Sequence, residues 1–349
     1  MLTEIKLDEL TNIGQDGGKG NLLAVQPYML PVDYRSADSL IEKLAGYLEA
    51  ARQAGWITPR TIAVFPEYLG TWLVAVGEGE AVYRAATVDG AMRPIVLRHL
   101  PAFLRAFWES HEPDRTTASV FRMAAERMAR DYTRVFSNLS QRFGITVVAG
   151  SILLPNPQVV EGVVVAGHGP LFNVTAVFGL DGKAYPALTF KAFPIEDEQP
   201  FVTAAFPVRP ERLPVFDTPA GRLGVLICAD SWYPETYACL VKQGVDLVAV
   251  PSFASGDGHW EIPWAGYNGA PAPADVDASD VGRLSESQAW HKYALAGRLG
   301  LSGARAGTNV FLHGRLWNLG SDSGLTLSVD GAGVYDVRAS TGAILNLWL

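Results

Sequence analysis

Apolar residues run along the chain in two periods. Short, β-branched stretches bounded by Gly, Pro or Asn predict strands at Leu22 to Gln26, Thr61 to Phe65, Ile145 to Leu154, Leu171 to Phe178, Leu223 to Cys228, Asp246 to Val250, Gly307 to Leu312 and Gly324 to Val329. Most are apolar on both faces, which suits strands covered from both sides or a sheet packed on a sheet. Between them lie helical patterns. Ser36 or Ser39 opens one that runs through Leu40, Leu44 and Leu48 to Gly55. Thr116 to Phe143 predicts a long helix, because Phe121, Ala125, Met128, Tyr132, Val135 and Leu139 recur at steps of three and four and form one core-facing stripe. Pro234 starts a short helix to Gly244, and Leu284 to Leu299 reads as another. Strands alternating with helices indicate an α/β layered architecture.

Two stretches look like insertions into this plan. Residues 74–115 hold Met92 to Trp108, strongly apolar with interspersed arginines and two prolines that interrupt a helix; a lid or an oligomer contact is expected there, with a membrane-surface helix as the rival. Residues 254–282 are rich in Gly, Pro, Trp and Asp. Residues 1–20 carry acids and glycines and are expected to be a leader, with Gly14 to Gly20 flexible. Residues 21–349 are expected to form a single domain carrying the two insertions.

Composition narrows the function. The chain has 349 residues, 48% hydrophobic, with a formal charge of −8, so neither a nucleic-acid nor an anionic-membrane partner is expected. No apolar run reaches the ~18 residues of a membrane span, and no signal-peptide pattern appears at the start. Cys228 and Cys239 are the only cysteines, too few for a disulfide framework, which points to a reducing compartment and a cytoplasmic location. Gly14 to Gly20 lacks the spacing of a phosphate loop. Asp275 to Glu286 imitates a calcium loop but has Asp280 where glycine is required, so no metal is expected. The six histidines are scattered.

Three segments place one reactive side chain where an apolar strand ends. Glu67 follows Thr61-Ile-Ala-Val-Phe-Pro, a place where partial burial raises a carboxylate toward the range of a general base. Lys191 follows Leu188-Thr-Phe and precedes Ala-Phe-Pro, a restricted site for a cation facing an oxyanion. Cys228 closes Gly221-Arg-Leu-Gly-Val-Leu-Ile ahead of the Pro234 helix, whose amides and dipole would favour a thiolate. Cys239 lies inside that helix and reads as a packed thiol.

Together these segments resemble the carbon-nitrogen hydrolase (nitrilase) superfamily, whose members use Glu, Lys and Cys in this chain order. The match is carried by Phe65-Pro-Glu67, Phe190-Lys191, Leu226-Ile-Cys228-Ala-Asp230 and Pro234-Glu235. Ala149-Gly-Ser-Ile-Leu, Phe172-Asn-Val-Thr, Gly244 to Ser252 and Gly303 to Asn309 support it. The resemblance implies a four-layer αββα sandwich, pairing of subunits into a homodimer or larger homo-oligomer, and no cofactor. It implies Glu67, Lys191 and Cys228 as catalytic residues, joined by a second glutamate: Glu198, seven residues after the lysine, or else Glu196. It also implies Tyr68, Ala229, Ser231, Trp232, Ser252 and Phe253 as substrate-binding residues. The expected activity is hydrolysis of an amide or carbamoyl amide through a thioester. Asp230, two residues after the cysteine, favours amide cleavage, whereas the Lys191–Glu198 spacing favours the rival, nitrile hydrolysis. N-acyl transfer by the same site is a further alternative.

Overall fold

The computed structural model describes residues 5–349. Two large sheets lie face to face. In the first, the strand order is Leu7–Ile13, Gly342–Trp348, Asn21–Gln26, Thr61–Val64, Thr146–Val148, Val177–Phe178. In the second it is Val215–Thr218, Gly221–Val225, Leu247–Phe253, Ala306–Leu316, Gly324–Asp330, Val334–Ala339. Each sheet has a parallel centre: Asn21–Gln26, Thr61–Val64 and Thr146–Val148 in the first, Gly221–Val225, Leu247–Phe253 and Ala306–Leu316 in the second.

The period of two in each strand builds the layers. Leu22 and Ala24 face Leu247 and Ala249 across the inter-sheet core. Their neighbours Leu23 and Val25 turn outward onto Leu40, Leu44, Tyr132 and Phe136 of the helices Ala37–Gln53 and Arg115–Phe143. Val248 and Val250 turn the opposite way, onto Tyr237, Leu240, Leu295 and Leu299 of the helices Pro234–Lys242 and Leu295–Ser302. The fold is therefore the αββα sandwich, and runs apolar on both faces are what its central strands require. Gln26 ties the sheets together, its side-chain amide donating to Phe311 O at 2.9 Å and Leu325 O at 2.7 Å.

The long helix begins at Asp114, whose carboxylate accepts from the Thr117 amide, and ends at Gly144 in the left-handed conformation. Ser36, rather than Ser39, caps the first helix.

Several segments depart from the sequence expectation. Leu7–Ile13, in the stretch expected to be a leader, pairs parallel with Gly342–Trp348 as an edge strand. Ile145 to Leu154 is two strands, Thr146–Val148 and Ile152–Pro155, parted at Gly150; Leu284 to Leu299 is likewise two helices, Glu286–Tyr293 and Leu295–Ser302, parted at Ala294. Within residues 74–115, Pro94 is carried inside the helix Val88–Arg98, so Pro101, in the first turn of Leu100–Glu109, is the proline that sits at a helix boundary. Among the described residues no helix is long and apolar enough to cross a membrane.

Candidate active site

Glu67, Lys191 and Cys228 leave three different sheets and meet above the strand ends. Glu67 follows the strand Thr61–Val64. Its loop is pinned by Ser151, whose hydroxyl accepts from the Tyr68 amide at 2.9 Å and whose carbonyl accepts from Gly70 N at 2.9 Å. Gly150 permits this approach: its φ is +66°, and a Cβ there would lie 2.2 Å from Pro66 O. Lys191 follows Thr189–Phe190, which pairs with Leu171–Thr175 in a small three-stranded sheet completed by Ile152–Pro155. Its own amide donates to Asn173 O at 2.9 Å. Cys228 opens the tight turn Cys228–Trp232 beyond Gly221–Val225, with φ at +50°, a conformation that L-residues rarely adopt.

The charged groups are almost wholly enclosed: Glu67 and Lys191 are 1% exposed and Glu198 is 3% exposed. Lys191 Nζ donates to Glu67 Oε1 at 2.8 Å and to Glu198 Oε2 at 2.6 Å. An ammonium has three protons, so one donor remains for a third acceptor. Asn173 Nδ2 donates to Glu67 Oε1 at 2.9 Å and Glu198 Oε1 at 3.2 Å, holding the carboxylates on either side of the lysine. Glu198 also accepts from the Tyr68 hydroxyl and, at 2.9 Å, from the Ile195 amide. That last bond closes a turn at residues 195–198, which brings Glu198 back to Lys191 and leaves Glu196 in solvent.

Burial sets the protonation states. It raises the Glu67 carboxyl to about 7, against the pull of Lys191 and with the help of Glu198. Burial pulls the Lys191 ammonium down, but Glu198 and Glu67 together hold it well above its ordinary value. The Cys228 thiol is pushed well above the usual range by burial and by the Glu67 charge. The thiolate expected from a helix dipole is therefore not the resting form, because the nearest α-helix starts six residues later, at Pro234, and the thiol faces a carboxylate within hydrogen-bonding reach. Cys239 is buried inside Pro234–Lys242, packed among apolar neighbours.

Asp230 is fully buried and bonds to the segment that follows Lys191. Its Oδ1 accepts from the amides of Ala192 and Phe193, both at 2.9 Å, and burial raises its carboxyl to about 7.

A cavity of about 1080 Å³ opens over this group. Of the six residues expected to bind substrate, Tyr68, Ala229, Trp232 and Phe253 line it. Ser231 and Ser252 do not. The Ser231 hydroxyl turns back to Cys228 O at 2.7 Å, and Ser252 precedes Phe253 on one strand, so the alternation that aims Phe253 at the cavity aims Ser252 away. Three further features belong to the site without being among the expected residues. Asn173 is legible as a lone amide inside the apolar run Leu171-Phe-Asn-Val. Trp264, Tyr267 and Trp290 pack around Trp232, with Tyr233 against Tyr267, and extend the wall; for Trp264 and Tyr267 the aromatic content of residues 254–282 is the signal. The enclosing helix Val88–Arg98 falls in the stretch expected to be a lid or contact, and it lines the cavity through Met92 and Val96. Among the described residues no group of three or more His, Cys, Asp or Glu side chains is placed to hold a metal ion.

Residues 36–270 match the carbon-nitrogen hydrolase family. Among curated relatives, the omega-amidase NIT2 of Bos taurus is 27% identical over 53% of this chain and 65% of its own length, and that of Danio rerio 27% over 41% and 50%. A deaminated glutathione amidase of Yersinia enterocolitica is 42% identical over 15% of this chain and 19% of its own. The chain thus matches between about a fifth and two thirds of the length of these relatives. Among solved structures, an amidase from Nesterenkonia sp. AN1 aligns over 95% of this chain and 90% of its own with a TM-score of 0.54 at 14% identity, and a carbon-nitrogen hydrolase from Helicobacter pylori G27 over 93% and 88% with a TM-score of 0.53 at 16% identity. With the match covering most of its length and the layered fold shared, the chain belongs to the carbon-nitrogen hydrolase family.

Proposed function

We propose that the protein hydrolyses a non-peptide carbon–nitrogen bond, that of an amide, through a thioester on Cys228. The observation that carries this reading is the buried Glu67–Lys191–Glu198 group beside a thiol at the floor of a cavity. Glu67 takes the proton from Cys228 Sγ as the sulfur bonds to the substrate carbonyl carbon. The carbonyl oxygen gains the negative charge, and the remaining Lys191 donor with the Ala229 N–H stabilises it. The C–N bond then breaks as Glu67 returns its proton to the leaving nitrogen. A water gives a proton to Glu67 and its oxygen to the thioester carbon; the carboxylic acid leaves and Cys228 regains its proton. Glu198, Asn173 and Tyr68 act as positioning residues.

A carboxyl near 7 suits both directions of this transfer, and a neutral thiol that ionises only when a carbonyl is seated limits side reactions. Tyr68, Ala229, Trp232 and Phe253 are the substrate-binding residues of this reading. Two cysteines that are both free fit a reducing setting such as the cytoplasm. Assembly into a homo-oligomer is part of the same reading and is checked by sedimentation.

The test is mass spectrometry of enzyme quenched during amide turnover. The wild type should carry the acyl mass on Cys228, and Cys228→Ala should carry none and release no ammonia or amine. Amide hydrolysis by Cys228→Ala would overturn the reading. Nitrile hydrolysis uses the same residues and is favoured by the seven-residue spacing from Lys191 to Glu198 and disfavoured by Asp230; comparing ammonia yields from matched nitriles and primary amides separates the two.

A further inference from the structure

We propose that the substrate is an amide whose acyl group is a long hydrocarbon chain, housed against the Val88–Arg98 helix. This rests on the hydrolytic reading above and adds the substrate class to it.

The cavity is the first observation. At about 1080 Å³ it lies just above the roughly 300–1,000 Å³ that hold drug-sized ligands, so an amide the size of acetamide leaves most of it unfilled. Its wall is divided chemically. On one side Met92, Val96, Phe103, Val120, Phe121 and Phe201 present apolar surface, while the charged groups there, Asp89, Arg93 and Asp197, are solvent-exposed at the rim. Leu97 lines the same side although it is 73% exposed, so the apolar surface continues outward to solvent. On the other side His259 and Glu286 stand among the aromatic rings and offer hydrogen bonds.

Two-step chemistry assigns the acyl group to the apolar side. The acyl group must stay through both steps, whereas the amine must leave between them so that water can enter. A deep apolar wall retains what it binds, so a chain on the amine would obstruct the second step. The polar side suits the departing nitrogen fragment.

The experiment is calorimetric binding of straight-chain primary amides, acetamide through decanamide, to Cys228→Ala protein, with wild-type kcat/KM measured on the same series. N-alkylacetamides of matched length form the second arm. For alkanamides the Kd should fall about fourfold per added methylene until the wall is covered, as transfer of a CH₂ from water implies, with kcat/KM rising in parallel. Val96→Asp and, separately, Met92→Gln should flatten that dependence; having both keeps the test valid if one variant fails to fold. A Kd independent of chain length, or equally steep for N-alkylacetamides, overturns the proposal. Chain-length-dependent binding of the alkanamides without turnover of any amide supports the chain site and overturns the hydrolytic reading instead.

Discussion

The carboxylate of Asp230 accepts the main-chain amide of Ala192 at 2.9 Å, which fastens the turn carrying Cys228 to the segment carrying Lys191. Phe193 N is held equally at 2.9 Å, and Ile227 N reaches the other oxygen at 3.3 Å. Asp230→Ala orphans these buried amides at about 1–3 kcal/mol each. Urea denaturation should show a loss of at least about 2 kcal/mol, with kcat falling as Lys191 is released. Asp230→Asn keeps an acceptor and should lose less.

The same residue gives a stability signature in pH. Burial lifts the Asp230 carboxyl from 3.8 to about 7 in the folded chain, so across that interval the native state holds a proton that the unfolded state has released. Its contribution is fully present below pH 3.8 and is lost as pH rises through about 7. Wild-type stability should therefore decline relative to Asp230→Asn over that window, measured by denaturant midpoints at a series of pH values.

In the proposed mechanism Glu67 sets the acid limb of activity. A protonated carboxyl cannot take the thiol proton, so kcat/KM should fall as pH drops through about 7, about tenfold per pH unit once well below it. Glu67→Gln removes the base and should lower kcat by roughly 10²- to 10⁴-fold with the melting transition retained.

Asn173 tunes that limb. Its amide donates to both carboxylates, and Asn173→Asp would set a third negative charge beside them. Glu67 should then titrate higher, moving the acid limb toward alkaline pH; at a fixed pH below it, the rate falls about tenfold for every pH unit the limb moves. An unchanged pH–rate profile would show that Asn173 serves packing alone.

Gly150 should not tolerate a side chain. Its left-handed φ and the 2.2 Å approach to Pro66 O mean that Gly150→Ala either strains the backbone or displaces Pro66 and Glu67. We expect a loss of about 1–3 kcal/mol and a kcat effect larger than the KM effect.

Legibility in the sequence followed chemistry and locality. Thr61–Val64 and Leu247–Phe253 can be read because strands buried on both faces are continuous apolar runs. Leu7–Ile13 cannot: it is an edge strand rich in polar residues, and its partner Gly342–Trp348 lies at the other end of the chain. Glu67, Lys191 and Cys228 each close an apolar strand and stand out. The assignment of Ser231 and Ser252 to the cavity failed because a position in a motif does not fix the direction of a side chain. Seated on a tight turn and on a strand, these two point inward to a carbonyl and to the core. Residues 254–282 show their aromatic content but not their arrangement, which depends on packing against Trp232 and Tyr293.

Gln26 acts as a key between the two sheets. Glu67 is carried by one sheet and Cys228 by the other, so the distance between carboxylate and thiol depends on how far the sheets are slid past each other. The Gln26 amide accepts only one such offset, because its two bonds to Phe311 and Leu325 are met together, and the absence of a side chain at Gly324 leaves room for it; a Cβ there would lie 2.1 Å from Gln26 Oε1. The placement of Glu67 against Cys228 is thus set from the core, at a residue that touches neither.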